Sequence, residues 1–119
     1  MKTATLQQGI VIGIPKEAEI WYSHANELMF QRKYEAAIQY YNKVLQIDPE
    51  FSPAWHYKGN CLDDLGKPKE ACEAYNQALE IDPLDSDTWY NKGISLKKAG
   101  NFEGAKVCMD KAIDLALGR

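Results

Sequence analysis

Three tryptophans, Trp21, Trp55 and Trp89, stand 34 residues apart, and no other property of the chain narrows its fold as much. Other positions keep the same beat: Ala37, Ala71 and Ala105; Gly59 and Gly93; Asp48-Pro49 and Asp82-Pro83; Tyr41 and Tyr75. A fixed period of this length marks one small supersecondary unit copied in tandem. Such a unit cannot bury its apolar face by itself, so neighbouring copies must stack and one surface recurs along the molecule. On a recurring surface the function to look for is binding rather than chemistry.

Aligned from the residue three before each Trp, the copies run 18–51, 52–85 and 86–119, and a segment of residues 1–17 precedes them. Each copy holds two helical patterns and no strand-like alternation. In copy two, Ser52 followed by Pro53 reads as a cap and a first turn. Trp55, Lys58, Gly59 and Leu62 then fall at i, i+3, i+4 and i+7, one face of a helix. Gly66-Lys67-Pro68 breaks that helix and starts the next, whose inner face reads Ala71, Tyr75, Ala78 and Leu79. Asp82-Pro83 ends it, because a residue before proline avoids the helical region. Copy three repeats the scheme with Ser86 as cap, Trp89, Lys92, Gly93 and Leu96 as the face, and Ala105, Met109, Ala112 and Ile113 inside. Copy one has Trp21, His24, Ala25 and Leu28, then Ala37, Tyr41, Val44 and Leu45; its turn, Gln31-Arg32-Lys33, lacks glycine. The expectation is an all-α array of antiparallel hairpins with about six helices. Small residues mark the crossing of each hairpin, and Trp55 is expected to wedge between helices and touch both neighbouring copies.

Charge and composition exclude several classes. A net charge of −3 offers no basic face for phosphates, so no nucleic-acid partner is expected. No apolar run approaches the roughly 20 residues of a spanning helix, and the short run at Ile10-Val11-Ile12 is broken by Gly13 and Pro15, so neither a membrane partner nor a signal peptide is expected. The chain reads as soluble and cytoplasmic. Cys61, Cys72 and Cys108 are odd in number and lack CxxC spacing, which argues against a disulfide framework or a zinc site. No nucleophile motif or phosphate loop is present. Of the two histidines, His24 falls on the core face, and His56 suits a ligand contact or a plain surface position. No enzyme activity, cofactor or metal is expected.

With these residues in view, the chain resembles the tetratricopeptide repeat family, whose pattern is W-x2-L-G-x2-Y followed by Ala, an aromatic, Ala and Pro. Copy two reads Trp55, Lys58, Gly59, Leu62, Ala71, Tyr75, Ala78 and Pro83, and the match covers residues 18–119. The Leu position is His24, Lys58 or Lys92, the Tyr position is Leu28, Leu62 or Leu96, and Leu117 replaces proline in copy three. A lysine can lay its stem on the core and keep its ammonium wet. The resemblance implies a right-handed superhelix whose first helices line a concave groove that binds a peptide or partner protein.

The same resemblance places candidate groove residues. Copy one supplies Tyr22, Ser23, Asn26, Met29 and Phe30; copy two His56, Tyr57, Asn60, Asp63 and Asp64; copy three Tyr90, Asn91, Ile94, Lys97 and Lys98. The binding set drawn from them is Tyr22, Asn26, Phe30, His56, Tyr57, Asn60, Tyr90, Asn91 and Ile94. Asn26 and Asn60 can hold a peptide backbone through donor and acceptor together, or they can brace neighbouring copies. Asp63-Asp64 and Lys97-Lys98 suit a solvated helix end as well as a groove. Chaperone-binding members of the family grip terminal carboxylates with lysines, asparagines and an arginine or lysine. Here those positions carry Tyr22, Asn26, Tyr57, Asp87 and Asn91, so acidic chaperone tails are not the expected ligand.

Two ends supply an alternative, a scaffold or self-assembling oligomer. The last hairpin ends at Leu115-Ala116-Leu117-Gly118-Arg119 with no further helix to cover it. The N-terminal segment carries Leu6, Ile10, Val11, Ile12 and Ile14, and its glycines and β-branched residues favour extended chain. Exposed aliphatic residues are unfavourable, so this arm is expected to pack on protein.

Overall fold

A computed structural model describes residues 14–119. Six helices follow in order: α1 (Lys16–Phe30), α2 (Tyr34–Ile47), α3 (Ser52–Asp64), α4 (Pro68–Ile81), α5 (Ser86–Lys98) and α6 (Phe102–Ala116). No strand occurs among the described residues. Each helix packs against the next, while α1 meets α3 and α3 meets α5 more lightly. First helices therefore line one face of the array and second helices the other.

The 34-residue beat has a steric cause. A Cβ on Gly59 would lie 2.5 Å from the Tyr75 ring, and one on Gly93 would lie 2.8 Å from the Met109 side chain. Ala25, Ala37 and Ala71 are fully buried at the matching crossings. The tryptophans serve the junctions. Trp55 Nε1 donates to the Pro49 carbonyl at 2.9 Å and Trp89 Nε1 to the Pro83 carbonyl at 2.7 Å, each tying a first helix to the loop before it. Trp55 is half-buried and packs on the core of copies one and two; its place is beside α2 and α4 rather than wedged against copy three.

Turns between hairpin helices share one geometry. Lys33, Lys67 and Asn101 each donate their backbone N–H to the carbonyl five residues back, at 2.9 Å. This closure puts the preceding residue in the left-handed region. Gly66 and Gly100 take it at φ 77° and 89°, and in copy one Arg32 takes it at φ 62°. A left-handed residue with a side chain costs about 1–2 kcal/mol. Arg32→Gly should therefore raise the unfolding free energy by about 0.5–1 kcal/mol, after allowing for the freer unfolded chain. Urea denaturation measures this; no gain would mean that the Arg32 side chain offsets its own strain by its contacts.

Three local expectations are corrected. Ser52 and Ser86 are first helical residues rather than caps: Phe51 precedes α3 without a side-chain bond, and Asp85 caps α5 by accepting from Asp87 N at 3.1 Å. Lys16 and Glu17, read as the end of an extended arm, form the first turn of α1, where Glu17 and Glu19 suit the helix dipole. His24 is not a core residue: its side chain is 44% exposed, with its ring edge-on to Tyr40. The rest of the proposed arm, residues 1–13, lies outside the described residues; Ile14 packs on the copy-one core.

Candidate functional site

Residues of α1, α3 and α5 border an open cavity of about 420 Å³. Phe30, Asn60, Asn91 and Ile94 from the expected binding set line it, joined by Met29, Asp63 and Asp64. Arg32, Tyr34 and Tyr75 also line it and were not anticipated. Arg32 was legible in principle, since it replaces a glycine that the other turns keep. Tyr75 was read as core, which it is at 1% exposure, yet it also forms part of the cavity wall. Phe30 is 90% exposed, an unusual state for a phenylalanine beside Met29 and Ile94.

Its polar groups are partly committed. Tyr75 donates its hydroxyl to Asn60 Oδ1 at 2.5 Å, and Asn91 Nδ2 donates to the same oxygen at 3.2 Å. Asn60 therefore has its Nδ2–H groups, not its carbonyl oxygen, to offer a ligand. Tyr41 makes the matching bond to Asn26 Oδ1 at 2.5 Å in copy one. In copy three the same two positions hold Ile94 and Met109, so donor and acceptor are lost together. That joint change leaves no buried polar group orphaned. Burial pushes the Tyr75 hydroxyl far above its ordinary pKa, and the Asp63 and Asp64 carboxylates add to the shift. Asp63 accepts from Ser95 Oγ at 2.8 Å and from Lys98 Nζ at 2.7 Å, so Asp63 and Lys98 brace copies two and three, while Asp64 and Lys97 stay exposed at their helix ends.

The remaining expected residues are dispersed. Tyr22 and Asn26 line a separate depression on α1, of about 590 Å³. Tyr57 stacks on Tyr41 with ring centres 6.3 Å apart and lies 6.4 Å from Tyr22, filling the junction of copies one and two. Tyr90 is 49% exposed on α5. His56 joins copies two and three: its Nδ1 lies 2.6 Å from Thr88 Oγ1, and Thr88 gives its own proton to Asp85 Oδ2 at 2.7 Å. The carboxylate can only accept, so Nδ1 must carry the imidazole proton and donate to Thr88.

Burial lowers the His56 pKa below 6.5, opposed by the Asp85 and Asp87 charges. A depressed value means stability that is full above pH 6.5 and lost as pH falls through the folded-state value. The unfolding free energy should thus fall as pH drops below 6.5, and His56→Asn should flatten that limb. An unchanged limb in the variant would show that carboxylates alone set it. Burial also raises all three thiols, Cys61 to about 12, which leaves them poor nucleophiles. Among the described residues no group of three His, Cys, Asp or Glu side chains could hold a metal, and no helix is long and apolar enough to cross a membrane.

Repeated hairpins with inward alanines and glycines at one period set the family, and comparison with known proteins agrees. Tetratricopeptide repeat models match residues 18–51, 52–85 and 74–107. The chain is a tetratricopeptide repeat protein. It is 32% identical over 60 residues to the anaphase-promoting complex subunit CDC27 of Saccharomyces cerevisiae, covering half of this chain and 8% of that protein. Similar solved structures include MamA, at 21% identity and TM-score 0.81, covering 85% of this chain and 59% of that one. The Sgt2 TPR domain from Aspergillus fumigatus gives 24% and 0.82, covering 87% and 68%. The second TPR of Spaghetti (RPAP3), bound to the HSP90 peptide SRMEEVD, gives 21% and 0.81, covering 84% and 93%. At these identities the likeness is one of fold, a superhelical array of helix hairpins.

Proposed function

We propose that this tetratricopeptide repeat chain, built as units 18–51, 52–85 and 86–119, is a protein-interaction module whose concave face holds an extended segment of a partner protein. One observation carries the reading: a single cavity lined by all three first helices sets the exposed Phe30, with Met29 and Ile94, beside polar groups from Asn60, Asn91, Asp64 and Arg32. Apolar anchors with a few convergent polar groups make a recognition site. The Spaghetti structure supports it, since a chain of the same fold there carries a peptide. Acidic chaperone tails fit poorly, because of the five clamp positions only Asn26 matches and Asp87 carries the opposite charge. Binding rather than catalysis suits a site lined by neither histidine nor cysteine, with His56 outside it bonded to Thr88 and the three thiols buried.

Peptides selected on the immobilised chain from a random library test this reading. Phe30→Ala, at a fully accessible side chain, should weaken the selected peptides at least about tenfold with helix content unchanged. Tyr57 and Asn60 are poorer choices, since both hold the copies together. Unchanged affinity in the Phe30 variant would remove the groove from the account.

A second reading, self-assembly, is favoured by one comparison. Leu45 and Leu79 are 8% and 7% exposed, whereas Ile113 at the same phase is 51% exposed. Sedimentation of the purified chain separates the two: a defined oligomer favours assembly, and a monomer favours the open groove.

A further inference from the structure

The opposite face carries a second hollow, between α2 and α4, with a volume of about 820 Å³. Ile38, Trp55, Leu62 and Leu65 contribute its apolar part. Glu35, Glu70, Glu73 and Glu80 contribute four carboxylates, against the ammonium groups of Lys58 and Lys67. Lys58 is held down over the Trp55 ring, 5.2 Å from its centre. None of the four glutamates has an ion-pair partner within 4.0 Å among the described residues. Glu70, Glu73, Gln77 and Glu80 recur at helical spacing on one side of α4, and Glu70 and Glu73 sit one turn apart, a like-charge arrangement that costs a helix stability when unpaired.

The next junction is an internal control. The floor positions recur 34 residues on as Cys72, Trp89, Leu96 and Ala99, all apolar. The rim positions become Lys69, Gly104, Val107 and Asp114. The apolar floor therefore belongs to the repeat, whereas the acidic rim belongs to the first junction alone; Glu70 suits the dipole of α4 from its first turn, but Glu73 and Glu80 lie beyond that turn.

We propose that this convex hollow is a second docking surface, for a lysine- or arginine-rich protein segment that lays an aliphatic or aromatic side chain on the Trp55 floor. Apolar contact supplies burial, and the carboxylates, of which Glu70 already feels Lys58 but none forms a close ion pair, select cationic flanks and steer their approach. A small ligand would leave most of so open a hollow wet, whereas a chain segment covers it. The concave site is separate, so one molecule can hold two segments at once.

The test uses a fluorescein-labelled peptide of lysine, leucine and tryptophan, and a counterpart with glutamate for lysine, titrated into the whole chain at about 0.15 M salt. The lysine peptide should bind and the glutamate peptide should not. E70K/E73K should weaken binding at least tenfold, E73Q/E80Q should weaken it less, and Phe30→Ala should leave it unchanged. In the nuclear magnetic resonance spectrum the Trp55 indole signal should shift while that of Trp89 stays. No binding, equal binding of the two peptides, or binding untouched by E70K/E73K and E73Q/E80Q would overturn the proposal. A shift of Trp89 equal to that of Trp55 would also overturn it, by showing general attraction to an acidic protein.

Discussion

Tyr75→Ala should lower the unfolding free energy by about 3–5 kcal/mol, a large part of the 5–15 kcal/mol that holds a typical domain. The ring is 1% exposed and fills the space that Gly59 leaves open. Nothing nearby can collapse into its place, because the gap lies between two helix backbones. Removing it also strips Asn60 Oδ1 of its 2.5 Å donor. Tyr75→Phe separates these contributions. It keeps the ring, and Asn60 retains the Asn91 bond, so the loss should be about 1 kcal/mol. Urea denaturation followed by circular dichroism measures both. A loss under about 1 kcal/mol for Tyr75→Ala would mean that the hairpin crossing is not the stabilising contact.

Trp55→Ala should cost about 3 kcal/mol, at the lower end for a tryptophan truncation. One side of the indole packs on the cores of copies one and two, while the other opens onto the convex hollow. The variant loses apolar burial and the 2.9 Å bond to the Pro49 carbonyl together. Trp55→Phe should recover most of the packing and none of that bond. Because the indole ties copy two to the loop that ends copy one, the loss should also make unfolding less cooperative, with copy one opening first. Hydrogen exchange of α1 and α2 amides reads this. Equal acceleration across all six helices would show that the bond is not a joint between copies.

Much of the fold was legible because its signals are local and repeated three times. Helix breakers, small crossing residues and the tryptophan beat each recur in phase, so one weak signal reinforces the next. The misreadings are equally specific. Ser52 and Ser86 resemble caps, yet the chain turns one residue earlier, and Asp85 performs that role at α5. His24 shares a helical face with Trp21, but among the described residues α1 borders α2 and α3 alone, and the His24 side chain is 44% exposed. The candidate site was half legible. Phe30, Asn60, Asn91 and Ile94 could be placed from the family resemblance and the 34-residue phase together. What phase does not reveal is commitment: Asn60 is paired to Tyr75, Asp63 to Ser95 and Lys98, and His56 to Thr88. The bonds that His56, Asn60 and Asp63 make to α5 join residues 31 to 35 apart, close to one period, and such pairs emerge only when the copies are stacked. Arg32 was noticed as a missing glycine, but its place on the cavity wall follows from the turn geometry, which strains the backbone where the guanidinium meets the groove.

The central claim, that the concave face is the main binding surface, is tested most directly by mapping a bound peptide. Peptides selected on the whole chain would be titrated into isotopically labelled protein and the backbone amide shifts followed. The account predicts that the largest shifts gather at Met29 to Arg32, Asn60 to Asp64 and Asn91 to Ile94, from three helices at once. Shifts confined to α2, α4 and α6, with those three stretches unmoved, would contradict it.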